Sequence, residues 1–73
     1  MRHADIISKW PSISAFAADI GSEYGTAKAM RKRSSIPSRY WVTVVSKACD
    51  RGIAGVTYEV LAKAAAAEAE VAA

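Results

Sequence analysis

Cysteine and histidine are almost absent: the 73 residues contain one of each, Cys49 and His3. A lone cysteine excludes an intramolecular disulfide, and the pair is too small a donor set for a zinc site, which takes about four ligands. No metal or other cofactor is expected. Long apolar runs are missing too. Hydrophobic residues make up 52% of the chain, but alanine supplies much of that share and mean hydropathy is only +0.07. Nothing approaches the ~20 apolar residues of a membrane-spanning helix. The opening MRHADIISKWPS has too short an apolar stretch for a secretory signal. The expectation is a cytoplasmic protein with no membrane partner. Carboxylates paired for general acid–base work are also lacking among Asp19, Glu23 and the tail acids. Catalysis at Cys49 would need a base, and His3 is expected in a mobile terminus. Cys49 reads instead as a small buried hydrophobe, and no enzyme is expected.

Acid is scarce where base is dense. Residues 24–51 hold seven basic side chains and one acid, a net +6, against −3 for the remainder. The formal charge of +3 and pI near 9.3 therefore understate a positive side. Nucleic acid is the leading partner for such a side, and a merely solvated basic face is the alternative.

The chain is read as a single domain, residues 1–73, all-α, with five helices and no strands. Its small core leaves dimerisation as a natural supplement. A first helix is expected over residues 4–10, stopped by Pro11. Ser12 caps the next, where Ile13, Phe16, Ala17 and Ile20 make one apolar stripe at helical spacing. Gly21 ends it in a left-handed conformation. Ser22 is expected to cap a third helix with Glu23 in its first turn, Ala27 and Met30 inward, and Arg31 to Arg33 at its basic end. Pro37 is expected in the first turn of a fourth helix, with Trp41, Val44, Val45 and Ala48 inward and Gly52 as its stop. A fifth, alanine-rich helix spans 57–73, capped by Thr57 and frayed near its end. Phe16 and Trp41 read as core rather than as a nucleic-acid aromatic set, given their helix faces.

Residues 13–32 have the spacing of a helix-turn-helix. Ala17 is small where the second helix crosses the first, Gly21 makes the turn, and Ala27 and Met30 pack back on Phe16 and Ile20. On these residues, and on the Ile36-Pro37 pair that follows a basic loop, the chain resembles the lambda-repressor-like family, which includes the phage Cro and repressor proteins. The resemblance covers roughly residues 4–61. It implies a five-helix lambda-repressor-like domain and a bacterial or phage transcription regulator that reads double-stranded DNA with its third helix. Ala27 departs from the larger aliphatic residue usual at its position, and Glu23 and Gly25 from the usual Gln and Ser, so base preference does not carry over.

The outer face of that helix is Tyr24, Gly25, Lys28, Ala29 and Lys32. These are the expected base contacts. Tyr24 and Ala29 can meet thymine methyls, Lys28 can reach guanine O6 and N7, and the small residues allow a close approach. Half-packed or solvated side chains are the alternative at Tyr24 and Lys28. Ser12, Ser14, Arg33, Ser35, Ser38 and Arg39 are the expected phosphate contacts. Arg31 is left for an ion pair within the fold. A homodimer on an inverted repeat is expected, joined through Ile53, Val56, Tyr58, Val60 and Leu61, which otherwise would cover the core. RNA polymerase is a further partner to consider. Two other readings share the same features: a protein-interaction module docking an acidic partner, and a nonspecific nucleoid-binding protein.

Overall fold

A computed structural model describes residues 2–72, with side chains as far as residue 67. Among these residues there are five α-helices and one 3-10 turn, and no strand. The helices are α1 (His3–Ile7), α2 (Ile13–Ile20), α3 (Tyr24–Arg33), α4 (Trp41–Asp50) and α5 (Tyr58–Ala72). The 3-10 turn, Ser38–Tyr40, leads directly into α4. α2 packs chiefly on α3 and α4, while α1 packs on α3 and α5.

One core serves all five helices. Ile6, Ile7 and Trp10 come from α1 and the turn after it, Phe16, Ala17 and Ile20 from α2, and Ala27 and Met30 from α3. Val44, Ala48 and Leu61 close it from α4 and α5. Phe16 lies at its centre, fully buried, with the Trp10 ring edge-on at 5.0 Å. Such a contact adds about 1 kcal/mol to the burial of two large rings. The expected helix over residues 4–10 is shorter, ending at Ile7. The chain then tightens into shorter bonds, Lys9 N–H to Ile6 O and Trp10 N–H to Ile7 O, which still carry Trp10 inward.

Helix ends are set by main-chain geometry. Ser12 caps α2 as expected, its hydroxyl accepting the Ala15 N–H at 3.0 Å. Gly21 ends α2 at φ 72, and the N–H groups of Gly21 and Ser22 return to Ala18 O and Ala17 O. Ser22 does not cap α3, contrary to the sequence reading, because α3 starts one residue later. The cap position is Glu23, and the Ser22 hydroxyl turns to the Glu23 carbonyl. α3 ends in the same way with Ser34 in place of glycine, at φ 54. Ser34 is buried, and its hydroxyl accepts the Ala4 N–H at 3.0 Å. Pro37 precedes the 3-10 turn rather than opening an α-helix directly. Thr57 caps α5 through the Val60 N–H. The frayed end expected for α5 falls on side chains outside the described residues.

Three further expectations are corrected. His3 is not in a mobile terminus: it is 2% exposed and hydrogen-bonded through both ring nitrogens. Cys49 is exposed, because Trp41, Val44 and Ala48 set the register of α4 and the next residue rotates out of the core. Arg31 forms no ion pair among the described residues. The acid within reach of the core's edge, Asp19, is taken by Arg51.

Candidate nucleic-acid interface

α3 divides along its length. Ala27 and Met30 are buried, and the remaining turns of the helix face out. Tyr24 stands at its start with about half of its surface exposed. Gly25, Lys28 and Lys32 are exposed, and Ala29 is half-buried. Lys28 and Lys32 are four residues apart, so their ammonium groups share one side of the helix. From Tyr24 to Lys32 the helix axis advances ~12 Å, the length of roughly three to four stacked base pairs. All five residues expected on the outer face are thus on one side, with only Ala29 partly covered.

The basic end of α3 meets the 3-10 turn across a cleft of about 250 Å³. Thr26, Arg33, Ser35 and Arg39 supply its polar lining, and Ala29, Met30 and Pro37 its apolar lining. Arg33, Ser35, Ser38 and Arg39 are all exposed. No carboxylate lines this cleft, so the two guanidinium groups give it an uncompensated positive field. Arg39 is held over the Tyr40 ring, 5.0 Å from its centroid, a cation–π contact that pre-places the guanidinium. Thr26 was not foreseen. It is polar and uncharged, and only its position in the first turn of α3 brings it to the cleft.

Ser12 and Ser14 are exposed at the start of α2. Ser12 spends its hydroxyl oxygen as acceptor for Ala15 N–H, leaving its O–H free to donate. Both serines sit on a different helix from the cleft. The structure thus forms one cluster from α3 and the segment after it, and a second, smaller one at the α2 start.

The surface expected to join two copies is only partly available. Val56 and Leu61 are 7% and 0% exposed and belong to the chain's own core. That removes them from any contact with a second copy. Tyr58 is exposed, and Ile53 and Val60 are half-buried. Val60 also lines a shallow cleft along α5 with Lys63, Ala64 and Ala67.

Two polar clusters tie the elements together, and His3 joins one of them. Its Nδ1 accepts the Ile36 N–H at 2.8 Å, and its Nε2 lies 2.9 Å from Leu61 O. No local sequence signal marks it, since both partners are main-chain groups far along the chain. Asp19 centres the other. It accepts the Trp10 indole N–H at 2.9 Å and pairs with the Arg51 guanidinium. The hydrogen bond from Arg51, then that from Trp10, lowers the Asp19 pKa below its ordinary value of 3.8. Among the described residues, no helix is long and apolar enough to cross a membrane. Comparison of the chain with protein-family models, curated proteins and solved structures finds no match.

Proposed function

We propose that the chain is a sequence-specific, double-stranded DNA-binding transcription regulator of the lambda-repressor-like kind. In this reading α2 and α3 are its helix-turn-helix, and α3 enters the major groove. The observation that carries the reading is the division of α3: Ala27 and Met30 fix it to the core, while Tyr24, Gly25, Lys28 and Lys32 remain exposed on its outer side. A helix of 10–12 Å diameter fits a major groove about 12 Å wide. Arg33, Ser35, Ser38 and Arg39 would then lie toward the sugar-phosphate backbone, with Ser12 and Ser14 reaching it from α2. One α3 reads only three or four base pairs, so two copies on an inverted repeat supply the remaining specificity. Their half-sites would lie about one helical turn apart. Ile53, Tyr58 and Val60 are the residues left to join them. Occupying such a site regulates transcription by excluding or recruiting RNA polymerase.

Selection of bound duplexes from a random pool, followed by titration of the selected duplex, tests this. Success is an enriched inverted repeat bound at least about 1,000-fold more tightly than random DNA. Tyr24→Ala and Lys28→Ala should each shrink that ratio, by about tenfold for a lost base contact. Binding without enrichment would replace the regulator with a nonspecific nucleoid protein. No binding at low salt would leave the basic face to an acidic protein partner.

A further inference from the structure

His3 is the third residue of the chain, yet it is as buried as the central isoleucines. A carbonyl oxygen only accepts and a main-chain N–H only donates. With Leu61 O at one nitrogen and Ile36 N–H at the other, the ring is the neutral tautomer with its proton on Nε2. Ile36 is gripped on both sides: its N–H by His3, and its carbonyl by the Trp41 indole N–H at 2.8 Å. Trp41 in turn stands edge-on to the His3 ring, 6.0 Å between centroids. The next residue, Pro37, has no N–H to offer, and after it come Ser38 and Arg39. The ring therefore ties α5 to the start of the segment that carries the exposed arginine and serines.

We infer that His3 is the positioning residue for residues 35–39, and that it holds them only while its ring is neutral. An imidazolium bears a hydrogen on both nitrogens. A proton on Nδ1 would point at the Ile36 N–H, donor against donor, in a site closed to water. Both partners of the ring are main-chain groups, so no carboxylate in contact offsets the charge. On α1, Asp5 is exposed and accepts the Arg2 N–H. On α5, Glu59 is paired with Lys63 on the exposed side. On α4, Lys47 and Asp50 lie in the last turn, away from Trp41. Arg31, Lys32 and Arg33 at the end of α3 and Arg39 in the segment itself are cations and oppose a further positive charge. Uptake of a proton expels the ring, frees the Ile36 N–H and releases the segment.

The consequence for DNA rests on the function proposed above; the latch does not. Acidification by itself adds positive charge and strengthens attachment to phosphates. The latch predicts the opposite sign, because the released segment no longer presents Arg39 and its serines together.

The test follows the 73-residue chain by NMR between about pH 8 and about pH 5, the range in which imidazoles ordinarily titrate. The ring nitrogens report the tautomer and the Ile36 amide its protection from exchange, while a parallel titration at fixed salt measures the selected duplex. His3→Asn keeps an acceptor for the Ile36 N–H but takes up no proton. The expected wild type has the Nε2–H tautomer at neutral pH. On acidification its Ile36 protection factor falls at least about tenfold, and duplex affinity falls by about the same factor, the loss of one charge-assisted contact. In His3→Asn neither the protection factor nor the affinity falls with acid. An Nδ1–H tautomer, unchanged Ile36 protection, or the same profile in His3→Asn each overturns the latch. Should His3→Asn fail to fold, the wild-type ring and Ile36 decide alone. Should the duplex not bind at any pH, the function fails while the latch is still tested.

Discussion

Asp19 accepts hydrogen bonds from two directions, the Trp10 indole beyond α1 and the Arg51 guanidinium beyond α4. One carboxylate thus pins two chain turns to α2. Its lowered pKa fixes the sign of the pH effect. A carboxyl whose pKa is lower folded than unfolded adds stability above the unfolded value, and that share disappears as pH falls through the folded value. Asp19→Asn should therefore melt below the wild type at neutral pH. The gap should hold constant above about pH 5 and close below about pH 4, in melting curves taken at each pH. Arg51 is partly exposed, so solvent screening keeps the ionic part of the gap small. Neither this pairing nor that of His3 was legible in the sequence. Their partners lie 32 and 58 residues away, beyond the reach of any spacing rule. Cys49 failed for a different reason: its average burial says nothing about the rotation of the particular helix that carries it.

At the scale of elements, α2 and α3 were legible almost to the residue. Their apolar positions recur at helical spacing, and Gly21 and Ser12 each have one good structural use. The start of α3 was not: Ser22 was expected as its cap with Glu23 in the first turn, whereas Glu23 holds the cap position and the Ser22 hydroxyl donates to the Glu23 carbonyl. Ser34 shows what a non-glycine does at a left-handed helix end. Its conformation costs about 1 kcal/mol, and its buried hydroxyl, bonded to the Ala4 N–H, offsets that. Two substitutions separate these contributions. Ser34→Gly loses the hydrogen bond but relieves the backbone, whereas Ser34→Ala loses the bond and keeps the strain. In urea titrations Ser34→Ala should be less stable than Ser34→Gly by about 1 kcal/mol. Alanine's better helix propensity alone would give the reverse order.

Over the whole molecule, charge is partitioned as the sequence indicates, with Lys28, Lys32, Arg33 and Arg39 exposed along α3 and the segment after it. If each cation meets one phosphate, log affinity should fall with log salt at a slope of about −3 to −4 per protomer. Arg39→Ala should flatten that slope by about 1 and weaken selected and random duplexes alike, as read in binding isotherms at several salt concentrations. The joining surface was the least legible feature at this scale. Apolarity marked Val56 and Leu61, but a 73-residue chain has so little interior that it uses such residues for itself.

The two tryptophans sit one in each polar clasp, Trp10 donating to Asp19 and Trp41 to the Ile36 carbonyl. Emission from each indole is therefore a separate gauge. A Trp10→Phe version would leave an optical reporter on the Ile36 segment, and Trp41→Phe one on the Asp19 junction. Stopped-flow traces of the two would reveal which half of this small protein lets go first.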